Sequence, residues 1–170
     1  MEARTERFTF FWQEDSAFSQ WHPSVFEVEG VRYTCAEQYM MAGKARLFGD
    51  TRVLEQILRA AAPKQHKALG RKVSPFDAAV WERERERIVY EGNHAKFTQH
   101  RLLLDTLLAT AGTVLVEASP MDRIWGVGLN AADPRIQDPA TWRGLNLLGK
   151  VLTRLRDDLL AQGMTLLRGP

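Results

Sequence analysis

The hydrophobic and polar positions divide the chain into short strands near its start and a series of amphipathic helices. Phe8 to Trp12 is aromatic and β-prone, and Val25–Val28 and Val31–Tyr33 alternate about Gly30 like two strands meeting at a turn. Thr34 then opens a helix that should end near Phe48, with Gly49 just beyond it. Val53, Leu54, Ile57 and Leu58 mark the apolar face of a second helix over Thr51–Ala62, stopped by Pro63. Lys64 to Val73 reads as a short, very basic helix or turn. Ser74-Pro75-Phe76-Asp77 leads into a long helix with Asp77 as its N-cap. On that helix Glu82 with Arg85, Arg83 with Glu86 and Glu84 with Arg87 are i,i+3 pairs on a solvated face, while Trp81, Ile88 and Val89 mark the packed side. A further helix is predicted over Gln99–Ala109, a buried strand over Thr113–Ala118, a long loop from Ser119 to Gly144 and a last helix over Leu145–Leu160. The pattern predicts an α+β fold, a mostly helical single domain over residues 1–170 with a small β-sheet and a core of about 8–160.

Composition narrows the class without naming a reaction. The 170 residues are 45% hydrophobic and 26% charged, as in ordinary globular proteins. With 23 basic and 21 acidic residues the net charge is only +2, which implies no dense nucleic-acid surface but leaves room for a local phosphate patch. Apolar runs such as Leu102-Leu103-Leu104 are too short to cross a bilayer, so no membrane partner is expected. The charged start, Met1 to Arg7, has no apolar signal-peptide core behind it, and a single cysteine, Cys35, suits a cytoplasmic protein. No obligate protein partner and no cofactor are implied.

The segment Tyr33–Asp50 carries the densest candidate chemistry. On one helix, Glu37 and Lys44 lie seven residues apart, about two turns, and so project from nearly the same face beside Tyr39, Met40 and Met41. Burial there would move both proton affinities, as acid–base or amine chemistry requires. Thr34-x-x-Glu37 equally fits a capping box, in which Glu37 only reaches back to the first amide. His22, His66, His94 and His100 have no metal-ligand spacing, so no metal site is expected. Cys35 reads as a packing residue more readily than as a nucleophile. Glu117 ends a strand, with Asp122, Trp125, Gly126 and Gly128 on the loop after it, a favoured ligand position. The alternative has Asp122 capping a turn, Trp125 filling the core and the glycines allowing tight backbone. Gly144–Lys150 is a glycine-rich helix entry whose amides could hold a phosphate, with Arg143 in front of it. Lys96-Phe97 is a second possible amine site.

These blocks, in this order, resemble the NADAR family of YbiA-like N-glycosidases. The resemblance rests on Phe18–Ser24, Gly30–Tyr33, Ala36–Tyr39, Lys44-Ala45, Trp81, Lys96-Phe97, Glu117–Gly128 and Gly144–Gly149, and covers about Phe8 to Arg156. One departure is Gln20, where many members have asparagine. The resemblance implies a YbiA-like fold and hydrolysis of the bond between a phosphorylated ribose and an exocyclic amine of a base. Two substrate types go with it: phosphoribosylamino-pyrimidine intermediates of riboflavin synthesis, and ADP-ribosyl-guanine in nucleic acid. It further implies Lys44 as an amine nucleophile, with Lys96 as the other candidate, and Glu37 as proton shuttle. Asp122 would orient ribose hydroxyls or activate water. Trp81 or Trp125 would stack on the base, Gly126 would line the ligand, and Arg143, Asn146 and the Gly144–Gly149 turn would sit near phosphate. A two-carboxylate route through Glu37 and Asp122, and a module that binds ADP-ribose or NAD without cleaving it, are the competing readings.

Overall fold

In the computed structural model, which describes residues 7–166, the chain forms two units: Gln20–Gln99, and the residues up to Ser19 with those from His100 onward. Residues 1–6, most of the charged start discussed above, lie outside the described residues.

The first unit begins with a hairpin, β2 (Phe26–Val28) and β3 (Val31–Tyr33), following β1 of the other unit in chain order. Its turn takes left-handed backbone at both central residues, Glu29 (φ 50°) and Gly30 (φ 78°), the conformation that matches the twist of a two-residue hairpin. Helix α1 (Ala36–Leu47) follows and packs against α2 (Thr51–Arg59), α3 (Pro63–Gly70) and α4 (Ala78–Thr98). Gly49, at φ 70°, ends α1 in the position expected for a C-terminal glycine. The second helix stops at Arg59, three residues short of its expected end, because Pro63 is the first residue of α3 rather than a terminator of α2. Asp77 caps α4 as predicted, accepting from the Ala79 and Val80 amides at 2.9 and 3.2 Å. Of the three i,i+3 pairs expected on this helix, Glu84–Arg87 closes at 2.8 Å, and Arg87 also reaches Glu91 at 2.7 Å.

The other unit pairs β1 (Phe8–Phe11) with β4 (Val114–Glu117) in parallel, Phe8 opposite Val114 and Phe11 opposite Glu117. Among the described residues the strands form two separate two-stranded ladders rather than one sheet. Val116, Ala118, Val127, Leu129 and Ile136 form a core against which Phe8, Phe10 and Trp142 pack. Helix α5 (Arg101–Leu108) starts two residues later than predicted because α4 continues through Thr98. The long loop contains two 3-10 turns, Pro134–Gln137 and Pro139–Thr141, before α6 (Leu147–Ala161). Arg156 is buried on α6 and donates to the carbonyls of Thr110 (2.9 Å) and Thr113 (2.7 Å), tying down the turn that feeds β4.

Helix α6 reaches β4 through side chains. Asn146, fully buried and left-handed at φ 53°, accepts from the Glu117 amide and donates to the Leu115 carbonyl, both at 3.0 Å. Thr153 accepts from the Leu115 amide at 2.9 Å. One turn into α6, a Cβ on Gly149 would run into the Leu115 carbonyl and the Asn146 amide. Gly149→Ala should therefore destabilise the protein by about 1–3 kcal/mol or more, as overpacking against backbone does. Urea denaturation measures it, and an unchanged midpoint would mean that α6 is not seated this closely on β4.

Candidate functional site

The start of α1 is where polar groups are driven inside. Thr34 does not form the expected capping box. Its amide and hydroxyl donate to Gln38 Oε1 at 2.8 and 3.1 Å, and Gln38 Nε2 donates to the Ile57 carbonyl at 3.0 Å. The Glu37 amide donates instead to the Gln20 carbonyl at 2.9 Å. Gln38 therefore takes the Thr34 amide that the sequence had offered to Glu37, and Glu37 itself is buried, 5% exposed.

The same unit holds further buried polar side chains. Asn93 Nδ2 donates to the Val89 carbonyl at 2.9 Å and to Gln20 Oε1 at 2.8 Å. One turn further along α4, Lys96 is completely buried. Burial pulls its proton affinity down to about 7, and Cys35 opposes this only when ionised. Cys35 itself is held protonated, since burial raises its pKa. Its Sγ sits 3.6 Å from His66 Nδ1, while His66 Nε2 faces the Ala60 carbonyl at 2.8 Å. A carbonyl only accepts, so Nε2 carries the hydrogen and the thiol donates to Nδ1. Burial lowers the His66 pKa as well, which makes this a neutral pair and not an activated thiolate.

Lys44 occupies a different setting. It is half-buried at the last turn of α1, with Nζ 4.6 Å from the centre of the Phe76 ring and 5.5 Å from that of Trp81. Burial, then the nearby Arg71, lowers its pKa. Phe76, 48% exposed, is braced edge-on by Phe48 at 5.2 Å. The sequence points to Trp81 but not to Phe76, which the entry into α4 carries to a lysine 32 positions earlier; no local spacing signals that approach. Glu37 and Lys44 lie about 10 Å apart along the helix axis, the rise of seven residues. A cleft of about 560 Å³ lies against the opposite face of α1, lined by Tyr33, Tyr39, Arg46, Arg87 and Glu91 among others.

In the other unit, the Asp122 loop is rigid by construction. Asp122 Oδ1 accepts from the amides of Ile124 (2.9 Å) and Trp125 (2.8 Å), and its own amide donates to Ser119 Oγ at 3.2 Å. Asp122 thus caps its turn with one carboxylate oxygen. Gly126 is buried, and a Cβ there would lie 2.9 Å from the Asp122 carbonyl and 3.0 Å from that of Glu117. Trp125 is half-buried and Arg143 exposed. The amides at the start of α6, read from sequence as open to a phosphate, are occupied. Those of Asn146, Leu147 and Leu148 donate to the carbonyls of Gly126, Ile124 and Trp125 at 3.0–3.1 Å. The Asn146 side chain is likewise committed to β4.

Helices dominate over short strands here, an α+β architecture shared with the NMR structure of the Escherichia coli protein YbiA (TM-score 0.76, 29% identity, covering 93% of this chain and 88% of that one). The chain belongs to the NADAR domain family, whose profile matches residues 10–160. It is 43% identical over 146 residues to N-glycosidase R617 of Acanthamoeba polyphaga mimivirus, covering 83% of this chain and 86% of that protein. It is 39% identical over 174 aligned positions to protein irg-1 of Caenorhabditis elegans, covering 93% and 82%. Among the described residues no helix is long and apolar enough to cross a membrane.

The buried Lys96 amine has a measurable signature. Its folded pKa, about 7, lies below that of an unfolded lysine, about 10.4, so between these values the unfolded state binds more protons. Stability conferred by the neutral amine therefore grows as pH rises from 7 towards 10, by up to about 1.36 kcal/mol per pH unit, and gains nothing below 7. Lys96→Met should remove that slope in urea unfolding at several pH values. Parallel curves for the two proteins would show that Lys96 is charged when folded.

Proposed function

We propose that this chain is an N-glycosidase that releases a base from a phosphorylated ribose by attack of a lysine amine. Its relatives supply the reaction class: R617 and the YbiA proteins carry the name N-glycosidase. The observation that carries the finer reading is the Lys44 amine, half-buried between the rings of Phe76 and Trp81 and shifted towards its neutral form. A nucleophilic amine needs both its lone pair and a path to substrate. Lys96 has the lower proton affinity but is completely enclosed, which favours Lys44 as the attacking group.

The chemistry follows from the substrate bond. A ribose carbon joined to an exocyclic nitrogen is a glycosylamine, and protonation of the ring oxygen opens the ring to an imine. Glu37 supplies that proton. The Lys44 amine adds to the iminium carbon, one of its protons passes to the exocyclic nitrogen, and the base leaves as a free amine; water then hydrolyses the protonated lysine Schiff base to the sugar aldehyde and free lysine, returning the proton to Glu37. Trp81 stacks on the departing base. The substrate proposed is ADP-ribosyl-guanine in nucleic acid or a phosphoribosylamino-pyrimidine, which share this bond.

Borohydride added during turnover of either substrate should leave a reduced sugar adduct on a peptide containing Lys44, and Lys44→Arg should abolish the adduct. Glu37→Gln should lower kcat by about 10²–10⁴, the range for loss of a general acid–base. In the wild type, kcat/KM should rise with pH and level off below the pKa of an ordinary lysine, because the neutral amine is the reactive form. Turnover without any adduct would exclude the Schiff base and leave the two-carboxylate route through Glu37 and Asp122.

A further inference from the structure

We propose that the cleft on the far face of α1 is a second ligand site, formed by Tyr33 and Arg46, for a small monocarboxylate with an apolar body. The cleft belongs wholly to the unit Gln20–Gln99 and encloses about 560 Å³, an ordinary size for a small-molecule site. Residues of a helix step round it by about 100°, so Tyr39, Gly43 and Arg46 face away from Glu37 and Lys44. Val28 and Val31 at the hairpin tip, Leu47 of α1 and Ile88 of α4 give the cleft its apolar lining. Gly43 lets the two helices close beneath it, since a Cβ there would lie 2.5 Å from Ile88 Cγ2.

Part of the polar lining is already satisfied internally. Arg87 donates to Glu84 through Nε at 2.8 Å and to Glu91 through Nη1 at 2.7 Å. The Tyr39 hydroxyl donates to the other Glu91 oxygen at 3.2 Å, and burial together with Glu91 pushes its pKa up to about 12, so it keeps that hydrogen. Tyr33 and Arg46 are different. Tyr33 is 1% exposed, with the rings of Phe26 and Tyr39 at 5.6 and 5.0 Å, yet its hydroxyl has no hydrogen-bond partner among the described residues. A buried tyrosine hydroxyl usually finds one. Arg46 Cζ lies 5.8 Å from the centre of the same ring, and among the described residues its guanidinium forms no ion pair or hydrogen bond. A guanidinium fork beside a phenol offers donors that suit a carboxylate. Arg87 is neutralised by its two glutamates, and Glu29 of the hairpin turn also lines the cleft. One free cation with an acid nearby balances a single negative charge, which favours a carboxylate over a phosphate dianion. Neither Glu37 nor Lys44 enters this site, so it stands apart from the glycosidase chemistry proposed above.

The test titrates the intact chain with 3-phenylpropionate, 3-phenylpropionamide and inorganic phosphate, followed by amide NMR shifts. The carboxylate should shift residues around the cleft saturably and bind about tenfold more tightly than its amide, the difference expected of a charged hydrogen-bonded contact. Arg46→Met, at an exposed position, should weaken 3-phenylpropionate about tenfold, and Arg46→Lys should recover only part of the loss because an ammonium lacks the fork. Tyr33→Phe, which keeps the packed ring, should cost about threefold to tenfold. Lys44→Arg should leave the affinity unchanged. Melting temperatures verify that each variant is folded, and the Arg46 variants suffice if Tyr33→Phe is not. No saturable shifts with 3-phenylpropionate, undiminished binding in Arg46→Met, or binding lost in Lys44→Arg would each overturn the site. Phosphate or the amide binding as tightly as the carboxylate would overturn its ligand class. Base release is not read here, so the outcome is separate from that of the glycosidase reading.

Discussion

A ladder of two strands leaves the outer row of peptide groups on each strand without a partner, and both ladders here answer that constraint with a carboxamide. At the β2 edge, Gln99 Oε1 accepts from the Glu27 amide at 2.9 Å and its Nε2 donates to the Glu27 carbonyl at 2.7 Å. At the β4 edge, Asn146 does the same for Glu117 and Leu115. Each side chain imitates the peptide group of a missing third strand, which satisfies groups that would otherwise cost about 1–3 kcal/mol apiece if buried unpaired. Much else follows within each unit. Seating Asn146 against β4 forces α6 close enough to exclude any side chain at Gly149, and the α6 entry is laced to the Asp122 loop by three backbone bonds. The loop that carries Asp122, Arg123 and Trp125 is held in place by the same arrangement.

Dehydration is the second organising force, and it acts on the two lysines to different degrees. Lys96 is wholly enclosed, where an ammonium ion is costly and the neutral amine is favoured. Lys44 is only half enclosed, and the faces of two aromatic rings partly compensate its charge while removing water. The first arrangement suits a group that holds structure together, the second a group that must meet a ligand. Sealing an amine more tightly lowers its proton affinity and closes the route to it, so reactivity is best served between the extremes.

Local signals are legible in the sequence, and long-range ones are not. Gly30, Gly49 and Asp77 each act through the backbone within a few residues, and each lies where the pattern put it. Glu37 and Gln38 could both have reached Thr34, and the carboxamide takes the place because Gln38 can also donate to Ile57 across to α2. Asn146 looked like part of a phosphate turn because its flanking glycines are the usual sign of one. Here they are small because β4 and the Asp122 loop pass so near. Phe76 and the Gln20–Asn93 contact join residues 32 and 73 positions apart, a relation that only packing reveals.

The sealed thiol has a use beyond packing. Cys35 is the one cysteine of the chain, it is kept protonated, and its hydrogen is directed at His66 on α3. A reagent that attacks sulfur must wait until the beginning of α1 lifts away from that imidazole. The rate at which an alkylating agent marks the protein is therefore a built-in clock for breathing at this junction, readable without adding any label to the chain.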